Sequence, residues 1–323
     1  MNSKLLFVVS VITMIFFPKV NSGQAPDLRS ASGFAIFTAA GAFDNAGTTI
    51  ITGDIGSNSA SVSGFPPGTI EGIIHTQDAI TAQAATDVAS AYSDLSSRGG
   101  SVIGVTMGSG QTLTPGVYTT GAAAATLNGN LTLDGLGNPD ALFIIRIGGA
   151  FATGTYSNII LINQASACNV YWQAGGEFDL GDHSIFKGTL IVDGAINLLE
   201  GSSLNGRALS TAGAISLHNN NVDFQPSTAS DITGTALVCQ GQTGVNYSIL
   251  AIDNATDYVW TLPAGATIAT GINTNTIAVN FSSMATSGNI TVYGTNACGN
   301  GIVSSNYTVT IGQVVPTSPI YHQ

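Results

Sequence analysis

Charge is what this chain has least of. Only 8% of its 323 residues are charged and seven are basic, giving a formal net charge of −11. Binding to nucleic acid needs a basic stripe to neutralise phosphates; the few cations scattered here cannot form one, so nucleic acid is excluded as a partner. Cysteine is nearly absent, and three residues permit at most one intramolecular disulfide. Histidine is scarce too. His75, His183, His218 and His322 include no pair at the spacing of a helical metal site, and the phosphate-binding GxxxxGK loop does not occur. Converging ionisable groups, which acid–base catalysis requires, are in short supply. We assign no catalytic residue, no metal and no cofactor.

What the chain does have is apolar surface and glycine: 44% hydrophobic residues and 40 glycines, enough for a sizeable core in more than one domain. Residues 1–22 read as a secretory signal peptide. Lys4 precedes an apolar run over residues 5–17, and Val20 and Ser22 offer small residues for cleavage. The run is shorter than the roughly 20 residues of a membrane-spanning helix. The mature chain is therefore expected to be secreted, without a transmembrane segment, and more acidic once Lys4 and Lys19 are removed.

Residues 30–223 form a series of short β-type runs separated by glycine, among them TTIITGDIG, LNGNLTLDG, ALFIIRIGG, NIILIN and KGTLIVDGAINLL. Brief apolar alternation with glycine turns argues for many short strands. The run GTIEGIIH (68–75) reads as one strand, with Ile70, Gly72 and Ile74 inward and Thr69, Glu71 and Ile73 outward. One segment breaks the pattern. Residues 76–98 are alanine-rich, lack Gly and Pro, and set Ile80, Ala84, Val88, Tyr92 and Leu95 at helical spacing. Asp78 suits the N-terminus of that helix and Arg98 its C-terminus. A lone helix must bury its stripe against something, so it is expected to lie along a coil of stacked β rungs, an irregular β-solenoid.

After a short linker at 227–230 the character changes. Longer alternating strands such as DYVWTLPAGATIAT and GNITVYGTNACG predict an immunoglobulin-like or PKD-like β-sandwich over 231–314, with a tail at 315–323. Cys239 and Cys298 flank Trp260 in an order like that of immunoglobulin-type sandwiches, which makes them the candidate disulfide. Cys168, in ACNVYW, then reads as a buried, inert thiol.

The densest acidic cluster, Glu177, Asp179 and Asp182, has oxygens of the kind that hold calcium, but solvated turns look the same. Arg146 and Arg207 could serve a polysaccharide lyase, yet neither lies near an acidic run. What recurs is uncharged. Threonine followed by two small residues occurs at Thr38, Thr120, Thr153 and Thr211, with Asp193 opening a related triplet. One account is structural: threonine favours strands and small residues fit tight corners. The other is a flat face, where threonines on successive rungs would recur every 4.7–4.9 Å and order a layer of water.

Taken in order, FAIFTAAGAFDNAGTTIITGDIG (34–56), GFPPGTIEGIIH (64–75), AYSDLSSR (91–98), LTPGVY (113–118), NPDALFIIRIGG (138–149), ACNVYWQAGG (167–176) and SSLNGRAL (202–209) resemble the microbial DUF3494 ice-binding proteins over residues 30–226. The resemblance implies a mainly β fold: a discontinuous right-handed β-helix of triangular section with one long α-helix alongside, here residues 23–226, followed by the small sandwich. It implies a secreted, non-enzymatic protein that adsorbs to ice as a monomer, inhibiting growth and recrystallisation. Some members carry a T-A/G-x-T/N motif on the ice face; this chain matches its first half at Thr38, Thr120, Thr153 and Thr211, with Gly41, Ala123, Tyr156 and Ala214 in the fourth place. The candidate ice-binding residues are Thr38, Thr52, Thr69, Thr120, Thr153, Thr155, Thr211 and Ala212. The sandwich is open to a role in cell-surface attachment. The alternative function is an extracellular adhesin or glycan-binding module.

Overall fold

A computed structural model of the chain describes residues 23–252, 255–296 and 298–312. The leader and tail expected at 1–22 and 315–323 lie outside the described residues. The glycine-punctuated runs form rungs of three short strands, and each rung turns two corners before returning one layer further on. Every strand therefore pairs in parallel with its counterparts in neighbouring rungs, building three sheets around one core. Sheet 1 runs in the order Ile74–Thr76, Asp54–Ser57, Phe34–Thr38, Ala208–Ser210, Thr189–Val192, Val170–Ala174, Phe143–Ile147, Gly116–Thr119, Ser101–Val102. Sheet 2 runs Val62–Ser63, Phe43–Ala46, Ile215–His218, Ile196–Leu198, Phe178–Leu180, Phe151–Thr153, Ala125–Asn128, Thr106–Gly108. Sheet 3 runs Thr69–Glu71, Ile50–Thr52, Asn221–Asp223, Ser203–Asn205, Ile185–Lys187, Asn158–Ile162, Asn130–Asp134, Gln111–Leu113.

These orders show why the solenoid is discontinuous. The chain begins mid-stack at Phe34–Thr38, builds outward to Ile74–Thr76, crosses to the opposite end and then winds back until Ala208–Ser210 docks beside Phe34–Thr38. The crossing is made by helix α1 (Ala79–Ser97), started by a capping box between Asp78 and Thr81. Its small residues let it lie close: Ala84, Val88, Ala91 and Leu95 pack on Phe34, Phe37, Ile144, Tyr171, Ile191 and Leu209 of sheet 1. Ile80, expected on the apolar stripe, is 49% exposed on the other side. At the helix C-terminus Arg146 donates to the carbonyls of Ser96 (2.6 Å) and Arg98, and Gln173 to that of Tyr92 (3.0 Å). The bond to Ser96 satisfies a carbonyl that a helix end leaves orphaned, and Gln173 fastens the last turns to sheet 1.

The run GTIEGIIH is two strands rather than one. Thr69–Glu71 belongs to sheet 3 and Ile74–Thr76 to sheet 1, with the corner at Gly72, where a Cβ would lie 2.3 Å from the Gly53 carbonyl oxygen. Ile74, expected inward, is exposed. The interior is filled by one to three apolar residues from most strands, with Phe151, Trp172, Phe178 and Phe186 clustered at ring separations of 4.7–6.0 Å.

The described residues beyond 224 form the sandwich, with Tyr247, Phe281, Ile290, Val292 and Val309 in its core. Its disulfide differs from the expected one: Cys298 bonds to Cys168 of the solenoid, and Cys239 is a free, exposed thiol. The reason is distance. Cys239 sits beside Gly312 at the Gly288 end of the strand Gly288–Asn296, whereas Cys298 follows its other end. At about 3.3 Å per residue that strand separates them by far more than the roughly 7 Å a disulfide can span.

Candidate functional site

Sheet 1 is covered by α1, which leaves the outer faces of sheets 2 and 3 to meet a partner. On sheet 2 the strand register aligns Ser63, Asp44, Ser216, Asn197, Asp179, Ala152, Thr126 and Thr106 in one outward row. Beside it runs a second row, Ala42, Ala214, Ala195, Glu177, Ala150 and Ala124. It is held in step by backbone bonds such as Phe151 N–H to Glu177 O (2.8 Å) and Ile196 N–H to Ala214 O (2.9 Å). Apart from Asp44, Glu177, Asp179 and Asn197 these side chains are alanine, serine or threonine, so most of the surface is short-chained. Around Thr106, Thr126, Ala152, Ala124 and Ala150 it is also uncharged.

The middle of sheet 2 is polar. Asn197 donates from Nδ2 to Glu177 (2.6 Å) and Asp179 (2.7 Å), tying the two carboxylates flat against the sheet. Burial, with the Glu177 charge nearby, raises the Asp179 carboxyl above its ordinary pKa, while the Asn197 hydrogen bond pulls the other way. Among the described residues no group of three or more His, Cys, Asp or Glu is placed to hold a metal ion.

Sheet 3 is uneven. Its outward rows carry Ile185, Ile50, Ile160, Lys187, Asp223 and Glu71 among Asn, Ser and Thr. Branched apolar groups and long charged groups of both signs project to different heights.

Of the candidate residues taken from the sequence, the structure withdraws three from the surface. Thr38 is buried and donates to Gly213 O (2.6 Å); Thr120 is buried and donates to Ala123 O (2.9 Å). Thr153 is 7% exposed; its hydroxyl accepts from Gly181 N–H (2.8 Å) and bonds Ser184 Oγ (3.1 Å). These hydroxyls pin corners rather than meet solvent. Thr211, half-buried, donates to Asp193 (2.8 Å) at the corner between sheets 1 and 2, with Ala212 exposed beside it. Thr155 is exposed at the corner between sheets 2 and 3, and Thr52 and Thr69 lie on sheet 3 beside Glu71 and Ile50. The eight therefore do not form one surface.

The small residues after each threonine have a corner role: a Cβ on Gly213 would lie 2.0 Å from the Gly194 carbonyl carbon, and one on Gly148 2.1 Å from Gly121 O. A different repeat marks the outer face of sheet 2. GAFDN (41–45), GAFAT (149–153), GEFDL (176–180), GAINL (194–198) and GAISL (213–217) each run small, outward, apolar inward, outward. That signal was available one frame downstream of the threonines.

The arginines considered for lyase chemistry have structural work, Arg146 on the helix end and Arg207 between the domains. The model of the ice-binding-like family matches residues 37–223, nearly all of the stretch that builds the three-sided solenoid. The chain belongs to the ice-binding-like family. The PKD-like domain profile matches residues 225–309.

Among the relatives of this ice-binding-like chain is an ice-binding protein of Nostoc sp. (strain HG1), 35% identical over 226 residues that span 68% of this chain and 82% of that protein. The crystal structure of an ice-binding protein from the Antarctic ascomycete Antarctomyces psychrotrophicus is similar at 34% identity and a TM-score of 0.59, covering 62% of this chain and 98% of that one. A second, from an Antarctic Flavobacteriaceae bacterium, is similar at 35% identity and a TM-score of 0.60, covering 68% and 56%.

Proposed function

We propose that this chain is a secreted protein that adsorbs to ice through the outer face of sheet 2, centred on Thr106, Thr126, Ala152, Ala124 and Ala150, and so slows ice growth and recrystallisation. One observation carries the choice of face: of the three sides, one lies under α1, one is broken by isoleucines and opposite charges, and one is small-chained and uncharged over the rungs from Thr106 to Ala152. A hydroxyl can fix a water while its neighbouring methyl and the alanines force water to order around them, so the face can hold an ice-like layer that freezes into a crystal. Adsorbed molecules then pin the front, which must bulge between them, giving thermal hysteresis.

The bond between Cys168 and Cys298 suits an oxidising compartment and agrees with secretion by the leader read in residues 1–22. The test is thermal hysteresis and recrystallisation inhibition by the purified mature chain. Activity that survives Thr126→Tyr and Ala150→Tyr in folded protein would move the ice face elsewhere; no activity in the parent would end the reading.

A further inference from the structure

The contacts between solenoid and sandwich lie on one edge. Cys168 occupies the corner between Asn158–Ile162 of sheet 3 and Val170–Ala174 of sheet 1, and Arg207 the corner between Ser203–Asn205 and Ala208–Ser210. Phe224 follows Asn221–Asp223 at the same edge. In a three-sided solenoid the edge shared by sheets 3 and 1 is the one opposite sheet 2.

The attachment there is a built clasp. The disulfide joins Cys168 to Cys298, 130 residues apart. Arg207, 4% exposed, donates from Nη2 to Cys298 O (2.9 Å) and from Nε to Ser32 O (3.1 Å), and its guanidinium lies 3.9 Å over the Phe224 ring. Asn296 donates to Phe224 O (3.3 Å). A cation so buried is retained only where fixed acceptors and an aromatic face replace its water, which ties each of these groups to one geometry. A flexible tether between domains would need none of them.

We propose that the sandwich is rigid ballast: a body clamped to the far edge of the solenoid that raises the obstacle an advancing ice front has to engulf, without itself touching ice. This rests on the assignment of sheet 2 as the ice face. A front pinned at sheet 2 must close over everything that stands above it. A domain fixed on the opposite edge adds height, whereas one swinging on a linker can be pushed aside.

The experiment uses the mature chain with Cys168→Ser and Cys298→Ser, and the same chain with Arg207→Met added, each checked for a folded solenoid by circular dichroism melting. Small-angle X-ray scattering reports whether the domains separate, ice-shell partitioning reports adsorption, and nanolitre osmometry reports hysteresis. The expected result is unchanged adsorption, a larger and more variable radius, and a partial loss of hysteresis. A triple variant that stays as compact as the parent overturns the clasp. One that opens yet keeps full hysteresis, or that loses adsorption along with it, overturns the ballast role. A parent chain that does not adsorb at all would instead remove the ice-face assignment beneath it.

Discussion

Sheets 2 and 3 are wound from the same rungs, share one core and each hold eight parallel strands, yet they present different surfaces. On sheet 2 the inward residue is large, as at Phe43, Phe151, Phe178 and Ile196, and the outward ones are mostly Ala, Ser and Thr, with Glu177, Asp179 and Asn197 in the middle. On sheet 3 inward Ile51, Leu131 and Val222 are matched by outward Ile50, Ile160 and Lys187. Burial constrains only the inward row, so the short outward residues of sheet 2 are not a requirement of the core.

The sharpest way to break this comparison is to roughen each sheet in turn. Thr126→Tyr on sheet 2 should abolish hysteresis, while Thr132→Tyr, at the matching depth on sheet 3, should leave it unchanged; ice-crystal microscopy on both variants decides. Next in size is the contrast between outward and inward threonines. Thr153→Val strands the buried Gly181 N–H and should cost about 1–3 kcal/mol of stability in denaturant unfolding, with activity per folded molecule retained.

The third, helix-backed side offers a smaller effect that depends on pH. Asp87 on α1 accepts from the Ser30 hydroxyl (2.6 Å) and backbone (3.3 Å) and from Gln83 (3.2 Å), with Arg29 3.6 Å away. The Ser30 hydroxyl bond leads in holding its carboxyl below the ordinary pKa. A carboxylate depressed in the folded state stabilises above its unfolded pKa, and that stabilisation is lost as pH falls through the folded value. The melting temperature of the parent should therefore exceed that of Asp87→Asn near neutrality, and the gap should close as pH drops below about 4. Smallest of all, Glu177→Gln with Asp179→Asn removes two charges from the middle of sheet 2. Hysteresis should rise slightly; a clear fall would mean the Asn197-tied carboxylates contribute to the face.

Much of this architecture could be read from residues alone. The helix was expected within 76–98 and spans Ala79–Ser97, and the quoted β runs fall on solenoid strands. The order of segments pointed to the family. The failures share a cause. Residues that meet on a solenoid face are neighbours across rungs, not along the chain, so Thr126 and Thr106 belong together only once register is known. Consecutive Thr-small-small triplets marked corners because a corner is local in sequence and a face is not. The disulfide failed for a related reason: the order of Cys239, Trp260 and Cys298 suggested a bridge within one domain, and nothing local to Cys168 showed that its rung abuts the second.

The return of the last rung onto the first has a consequence for how the molecule is made. The bond from Thr38 to Gly213 closes across 175 residues, and the strands at 34–52 have no partner on one flank until residues 208–223 exist. A chain emerging from the ribosome or threading through a translocation pore cannot complete this stack one rung at a time from its N-terminus. Its earliest segments pair with the rung that follows but must wait with the other flank open, which makes completion of the stack slow and dependent on distant contacts. Under the secretion proposed above that delay is an asset, since a chain that cannot close early stays loose enough to cross a membrane before it sets.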